Sequence, residues 1–239
     1  MKLFDVDGPL MQWLSKVADL MILSLLALIF CIPVITVGAS LTALYYMALK
    51  IVRDEQVSIF KGFMKSFKQN FRQATIIWLI QVVVMAVLVL DYFILYKNPE
   101  MAPNLVVQVL YMATVLLALA IFTFIYPVLS KFDNSIPRTF KNTFLMSIMQ
   151  FPKIILMIVF WALPPIIGIL VFQLFPLVLL FGMSLPAYGC ALLYNKFFKR
   201  MEDQMLEQAI EAGEIPADPG QDDEHIFSDE VIPTAENKK

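Results

Sequence analysis

The chain has 239 residues, of which 59% are hydrophobic and 16% charged, and a formal net charge of −2. Its mean hydropathy of +0.74 lies far above soluble averages, so the composition excludes an ordinary soluble domain or nucleic-acid-binding domain and indicates a membrane protein. Two Cys and one His, which do not cluster, also exclude a disulfide-rich secreted fold and a metalloenzyme.

Stretches without Asp, Glu, Lys, Arg or His indicate where the chain crosses the membrane. They cover residues 20–49, 73–90, 101–130 and 154–195. A helix needs about 20 apolar residues to cross about 30 Å of hydrocarbon. The last run has 42 residues and is therefore predicted to form two spans that turn near Gln173–Pro176.

The first apolar region is also too long for one straight helix. Pro33 removes a backbone donor, and the turn-compatible residues Thr36, Gly38 and Ser40 follow it, which predicts a tight reversal at about residues 34–39. The alternative is one bent helix with an interfacial extension, which would give five spans instead of six.

The predicted architecture is an all-α, polytopic membrane domain over residues 1–200, arranged as three hairpins. The six predicted spans are residues 12–33, 39–55, 74–95, 104–130, 153–172 and 176–195. Two amphipathic helices, at about 56–72 and 135–150, are predicted to lie in the cytoplasmic interface between the hairpins.

The first of these helices combines an aromatic stripe with a basic stripe. Phe60, Phe63, Phe67 and Phe71 follow the spacing of one helical face, which favours contact with the bilayer. The predicted basic face toward an anionic inner leaflet consists of Arg53, Lys61, Lys65, Lys68 and Arg72. A helix that only covers the inner surface of the membrane explains this pattern as well as a helix that binds a partner.

Orientation follows from the loops that carry Lys and Arg. Segments 53–72, 131–153 and 196–200 are basic and are predicted to be cytoplasmic, whereas the connections at 91–103 and near residue 173 suit the outer side. With six spans the N-terminus is cytoplasmic, and with five it is outside; the C-terminus is cytoplasmic in both.

The small net charge conceals two oppositely charged parts. Residues 1–200 carry 16 basic and 8 acidic side chains, whereas residues 201–239 carry 2 and 12. The acidic tail is predicted to be helical to about residue 211 and then disordered, because it is too charged to build a core.

No catalytic residue, cofactor site or metal site is predicted. The only histidine, His225, lies in the acidic tail, so no base is available within the spans, and no glycine-rich phosphate loop is present. Polar residues near the broken first hairpin form the candidate motif or cavity, because broken helices are how transporters expose backbone to substrates. The residues are Pro33, Thr36, Gly38, Ser40, Tyr45, Tyr46 and Gln81.

Around this motif the sequence resembles the YesL family of bacterial integral membrane proteins, a domain of unknown function. The residues that carry the resemblance are Gly8–Leu10, Pro33–Tyr46, Lys50, Val52–Glu55 and Ser66–Thr75. The resemblance covers about residues 1–200 and implies a bacterial plasma-membrane protein, of the Gram-positive type, encoded beside carbohydrate-uptake proteins. It provides no catalytic or ligand residues.

The resemblance and the charge layout together suggest an accessory component of carbohydrate uptake. It would act through protein–protein contacts, with the lipid bilayer, its anionic inner leaflet and a carbohydrate importer permease as partners, and without nucleic acid. The alternative is a small membrane transporter or a membrane-embedded substrate-binding subunit.

Overall fold

The computed structural model describes residues 9–55, 58–97, 104–132 and 134–211, and it confirms the all-α fold, since these residues form helices and turns without a β-strand. The helices are α1 (Pro9–Cys31), α2 (Val37–Val52), α3 (Ile59–Lys97), α4 (Leu105–Lys131), α5 (Ile136–Met149), α6 (Phe151–Leu170), α7 (Phe175–Phe181) and α8 (Ser184–Glu211). Short 3-10 turns at Val34–Thr36 and Phe172–Leu174 precede α2 and α7. The tail predicted to be disordered lies outside the described residues.

Several helices are long and apolar enough to cross a membrane. These are Met11–Cys31, Val34–Val52, Ile59–Leu95, Leu105–Lys131 and Phe151–Leu170. The pair Phe172–Phe181 and Ser184–Gln208, bent by 55°, would be the sixth if it counts as one span. By length and composition, the described chain is therefore that of a multi-pass membrane protein.

Helices α1 and α2 form an antiparallel hairpin. Near the reversal, the Ser40 hydroxyl donates a hydrogen bond to the Ala27 carbonyl oxygen at 2.9 Å. At the opposite end, Lys16 Nζ lies 2.5 Å from Asp54 Oδ1. One bent helix over this region does not describe the structure, because its two halves would diverge instead of pairing at both ends.

Helix α2 lies at the centre of this domain. Eleven of its 16 residues are buried, and it packs against α1, α3 and α4. Ala39, Ala43 and Ala48 are fully buried, and such small residues allow neighbouring helices to approach closely. The short return helix is therefore shielded from lipid by its neighbours.

Helix α3 is continuous from Ile59 to Lys97, so the interfacial helix predicted at 56–72 and the span predicted at 74–95 are one element. After Gly62 it contains neither Gly nor Pro, and nothing in the sequence interrupts it. Its 39 residues extend about 58 Å at about 1.5 Å each, roughly twice the hydrocarbon thickness. Its basic N-terminal half can thus extend beyond the hydrocarbon.

The span predicted at 176–195 is broken between α7 and α8. Pro186 has no N–H for the carbonyl of Gly182, four residues earlier, and its ring would collide with that carbonyl in a continuous helix. The chain bends there by 55°, and α7 ends with the bond from the Gly182 N–H to the Val178 carbonyl oxygen at 2.6 Å.

The chain divides into two compact units, Met1–Leu193 and Tyr194–Lys239. All the residues of the candidate motif and the basic face belong to the first unit. In the second unit the described part is the end of α8, where the Tyr194 and Phe198 rings lie 4.6 Å apart.

Candidate functional site

The reversal of the first hairpin is closed by its own polar residues. Pro33, with φ near −74°, directly precedes the 3-10 turn, and the Thr36 hydroxyl lies 2.6 Å from the carbonyl oxygen of Phe30 and 2.7 Å from that of Pro33. Because this hydroxyl is bonded to the chain itself, Thr36 stabilises the turn and does not present a free polar group.

Gly38 marks the closest approach between α2 and α3. A Cβ atom built there would collide with the backbone carbonyl oxygen of Ala74 and would lie 2.8 Å from the Cβ of Trp78. Ser40 is fully buried, with its hydroxyl bonded to α1. These two motif residues therefore fasten α2 to its neighbours.

Tyr45 and Gln81, in contrast, meet at a cavity of about 400 Å³ between α2, α3, α4 and α6. This volume lies in the range of small-molecule sites, roughly 300–1,000 Å³. The lining residues are Leu41, Tyr45, Trp78, Gln81, Val82, Met85, Leu119, Phe122, Thr123, Tyr126 and Trp161. We call this space the α2–α6 cavity.

Most polar atoms of the α2–α6 cavity are bonded to one another or to the backbone. Trp161 Nε1 donates to the Tyr45 hydroxyl at 2.6 Å, the Tyr126 hydroxyl donates to Gln81 Oε1, and the Thr123 hydroxyl donates to the Leu119 carbonyl oxygen at 2.8 Å. The exception is Gln81 Nε2, which is buried without a partner in the described structure.

Tyr46 does not line this cavity. It lies next to Lys50, whose Nζ is 5.2 Å from the centre of the Tyr46 ring and 3.0 Å from a carboxylate oxygen of Glu55. The structure thus separates the adjacent tyrosines, because successive residues of a helix point about 100° apart.

Four members of the predicted basic face form one exposed row on α3. Lys61, Lys65, Lys68 and Arg72 are exposed, and within the described ranges no carboxylate forms an ion pair with them. Arg53 is apart from this row: it is half-buried and caps the end of α2, with its N–H bonded to the Leu49 carbonyl oxygen.

The aromatic stripe of the same helix half is packed mainly on protein. Phe63 is fully buried and Phe67 is 9% exposed, and the Phe30 ring lies 5.6 Å from Phe63 and 4.9 Å from Phe67. Only Phe60 and Phe71 are exposed. The contact at Phe30 also brings the end of α1 beside the basic row. If the reversal between α1 and α2 lay on the outer side of the membrane, it would be a full bilayer, about 30 Å, away from a cytoplasmic basic row. The contact does not fit that placement.

Three residues that line the cavity, Trp78, Tyr126 and Trp161, are absent from the motif predicted from the sequence. Trp78, Gln81, Val82 and Met85 are spaced i, i+3, i+4, i+7, which marks one helical face and could have been recognised. The contributions of α4 and α6 have no such signal, because they depend on how distant helices pack.

The model of one protein family, described as "Protein of unknown function, DUF624", matches residues 19–92. This region contains Tyr45, Gln81 and the basic row, but not Tyr126 or Trp161. No curated protein and no solved structure matches the chain.

Proposed function

We propose that the protein is a YesL-type accessory component of bacterial carbohydrate uptake that acts through protein–protein contacts and not by catalysis. The resemblance described above supports this proposal, and the matched family adds no activity of its own. The observation that carries it is the exposed basic row on α3, which has no carboxylate partner in the described structure.

The basic row is suited to a partner surface because its position is fixed. Phe63 and Phe67, on the other side of the same helix half, are held against Phe30. The cations Lys61, Lys65 and Lys68 therefore project from a rigid helix, and a pre-organised charged face pays less ordering entropy on binding than a mobile one. An acidic surface of an importer permease is the partner we propose, and anionic inner-leaflet lipids would occupy the rest of the face.

Replacement of Lys61, Lys65 and Lys68 by Gln is expected to lower recovery of a carbohydrate importer permease about tenfold, because charge complementarity steers and stabilises such contacts. The measurement is affinity purification after cross-linking in sugar-induced cells. The matched control replaces three other exposed cations, Lys196, Lys199 and Arg200, by Gln. Equal recovery from both variants, or no permease with the unaltered protein, would contradict the proposal.

We place the protein in the bacterial plasma membrane with its C-terminus in the cytoplasm. In a background without Cys31 and Cys190, a cysteine at Asn104 is expected to react with a membrane-impermeant maleimide on intact cells, and a cysteine at Ser135 only after permeabilisation. Both positions are exposed helix N-caps, so they are matched in accessibility. The reverse labelling pattern would overturn the orientation derived from the basic loops.

A second candidate function is that of a small transporter or membrane-embedded substrate-binding subunit. The α2–α6 cavity favours it, since a cavity of about 400 Å³ beside a buried amide nitrogen without a partner, Gln81 Nε2, offers space and one polar contact to a ligand. Saturable binding at this cavity is the measurement that tests the second function.

A further inference from the structure

Two exposed residues of a candidate membrane span border the α2–α6 cavity. Val82 and Met85 line it and are nevertheless 42% and 39% exposed. Both residues belong to the apolar half of α3, within the candidate span Ile59–Leu95. A surface exposed at this position faces hydrocarbon, so a ligand can enter from the lipid phase.

The cavity offers one unused hydrogen-bonding group. Gln81 is 3% exposed, and only one end of its amide is engaged, by Tyr126. Exchanging the amide oxygen and nitrogen would leave the oxygen unpaired in place of the nitrogen, so one end lacks a partner in either assignment. With the assignment found, the free end is a donor that requires an acceptor.

The rest of the wall selects against a strongly polar ligand. Trp78, Phe122 and Trp161 provide aromatic surface, while Val82, Met85 and Leu119 provide aliphatic surface. A free sugar would lose the water bound to several hydroxyl groups and would find only one spare donor in the cavity. Each hydroxyl left without a partner would reduce the binding free energy by about 1–3 kcal/mol, the cost found for unpaired polar groups in protein mutants.

We infer that the α2–α6 cavity binds a membrane-soluble ester, with its apolar chain against Trp78 and Trp161 and its carbonyl oxygen accepting a hydrogen bond from Gln81 Nε2. This inference deepens the second candidate function and rests on it. An ester carbonyl supplies the single acceptor that the site lacks, and its chain enters by the opening at Val82 and Met85.

Tryptophan fluorescence can test the inference, because two of the three Trp residues line the cavity. Trp13, which is 64% exposed, is replaced by Phe so that emission reports Trp78 and Trp161. The purified protein in detergent is titrated with methyl dibromostearate and, separately, with dibromooctadecane, which has a similar chain and the same quencher but no ester. The ester is expected to quench saturably at about tenfold lower concentration, the effect of about one hydrogen bond to a buried group.

Two variants separate the contribution of the Gln81 amide from that of the Tyr126 hydroxyl. Tyr126→Phe alone retains the Gln81 amide, and the preference for the ester measured in this variant is the reference for the double substitution. Tyr126→Phe with Gln81→Met removes both partners, leaves no unpaired hydroxyl and should abolish the preference. Saturable quenching by dibromooctadecane in both variants shows that the cavity persists.

Four results would overturn the inference. A preference that survives the double substitution, or equal quenching of the unaltered site by both probes, would exclude the hydrogen bond to Gln81. Thermal stabilisation by a monosaccharide such as glucose without saturable quenching by the ester would replace the ligand class while retaining a substrate-binding function. If neither ester nor sugar binds, the second candidate function fails as well, whereas the accessory function is decided separately by recovery of the permease.

Discussion

A single methyl group added at Gly38 is expected to lower the free energy of unfolding by about 2–3 kcal/mol, the upper part of the range for overpacking a tight interior. The new Cβ would overlap the Ala74 carbonyl oxygen and lie 2.8 Å from the Cβ of Trp78. Neither atom is the end of a flexible side chain, so α2 and α3 must separate along a contact that buries most of α2. Trp78 also lines the α2–α6 cavity, so the cavity should change shape.

The matched control for Gly38→Ala is Gly168→Ala in α6. There the nearest atom to a new Cβ is Cγ1 of Val178 at 3.9 Å, an ordinary contact. Alanine is favoured over glycine in a helix interior by about 1 kcal/mol, so this variant is expected to be as stable as the parent or more so. Unfolding in mixed detergent micelles with increasing dodecyl sulfate measures both. Similar midpoints for the two variants would contradict the close approach of α2 to α3.

The different roles of the motif residues show what local sequence can and cannot reveal. Pro33 and Thr36 act on the backbone within a few residues, so the reversal that they form was predictable. The residues around Gly38 predict a turn, but the role of this glycine in the structure is to admit Ala74, which lies 36 positions later in the sequence. The partner of a small residue cannot be found without knowing which helices pack together.

The same limit applies to the cavity. Tyr45 and Gln81 are both polar residues of predicted spans, and they do line one space, while Tyr46 faces Lys50. When a span is hydrophobic on all sides, its sequence does not indicate which side faces the neighbouring helices. Periodicity therefore could not distinguish the two tyrosines. The continuity of α3 and the bend before Pro186, in contrast, follow from where Gly and Pro occur and were accessible from sequence.

The aromatic stripe of α3 provides the second large effect. Phe63→Ala is expected to lower the free energy of unfolding by about 3 kcal/mol. This is the lower end of the range for substitutions that leave a cavity the size of a phenyl ring in a core. Phe63 is fully buried and its ring contacts Phe30 and Phe67. The lower end applies because the Phe30 and Phe67 rings can relax into part of the space, and the cost of a cavity falls as its walls collapse.

Phe60→Ala is the matched control, since it removes the same side chain one turn earlier on the same helix from a position that is 56% exposed. Its expected cost is below about 1 kcal/mol, as for most exposed substitutions. A helix that only paves the inner surface would hold both rings equally in lipid, and the two variants would then unfold together. A large difference between them means that α1 fixes the basic row in place, which is the condition on which a rigid, charged docking surface depends.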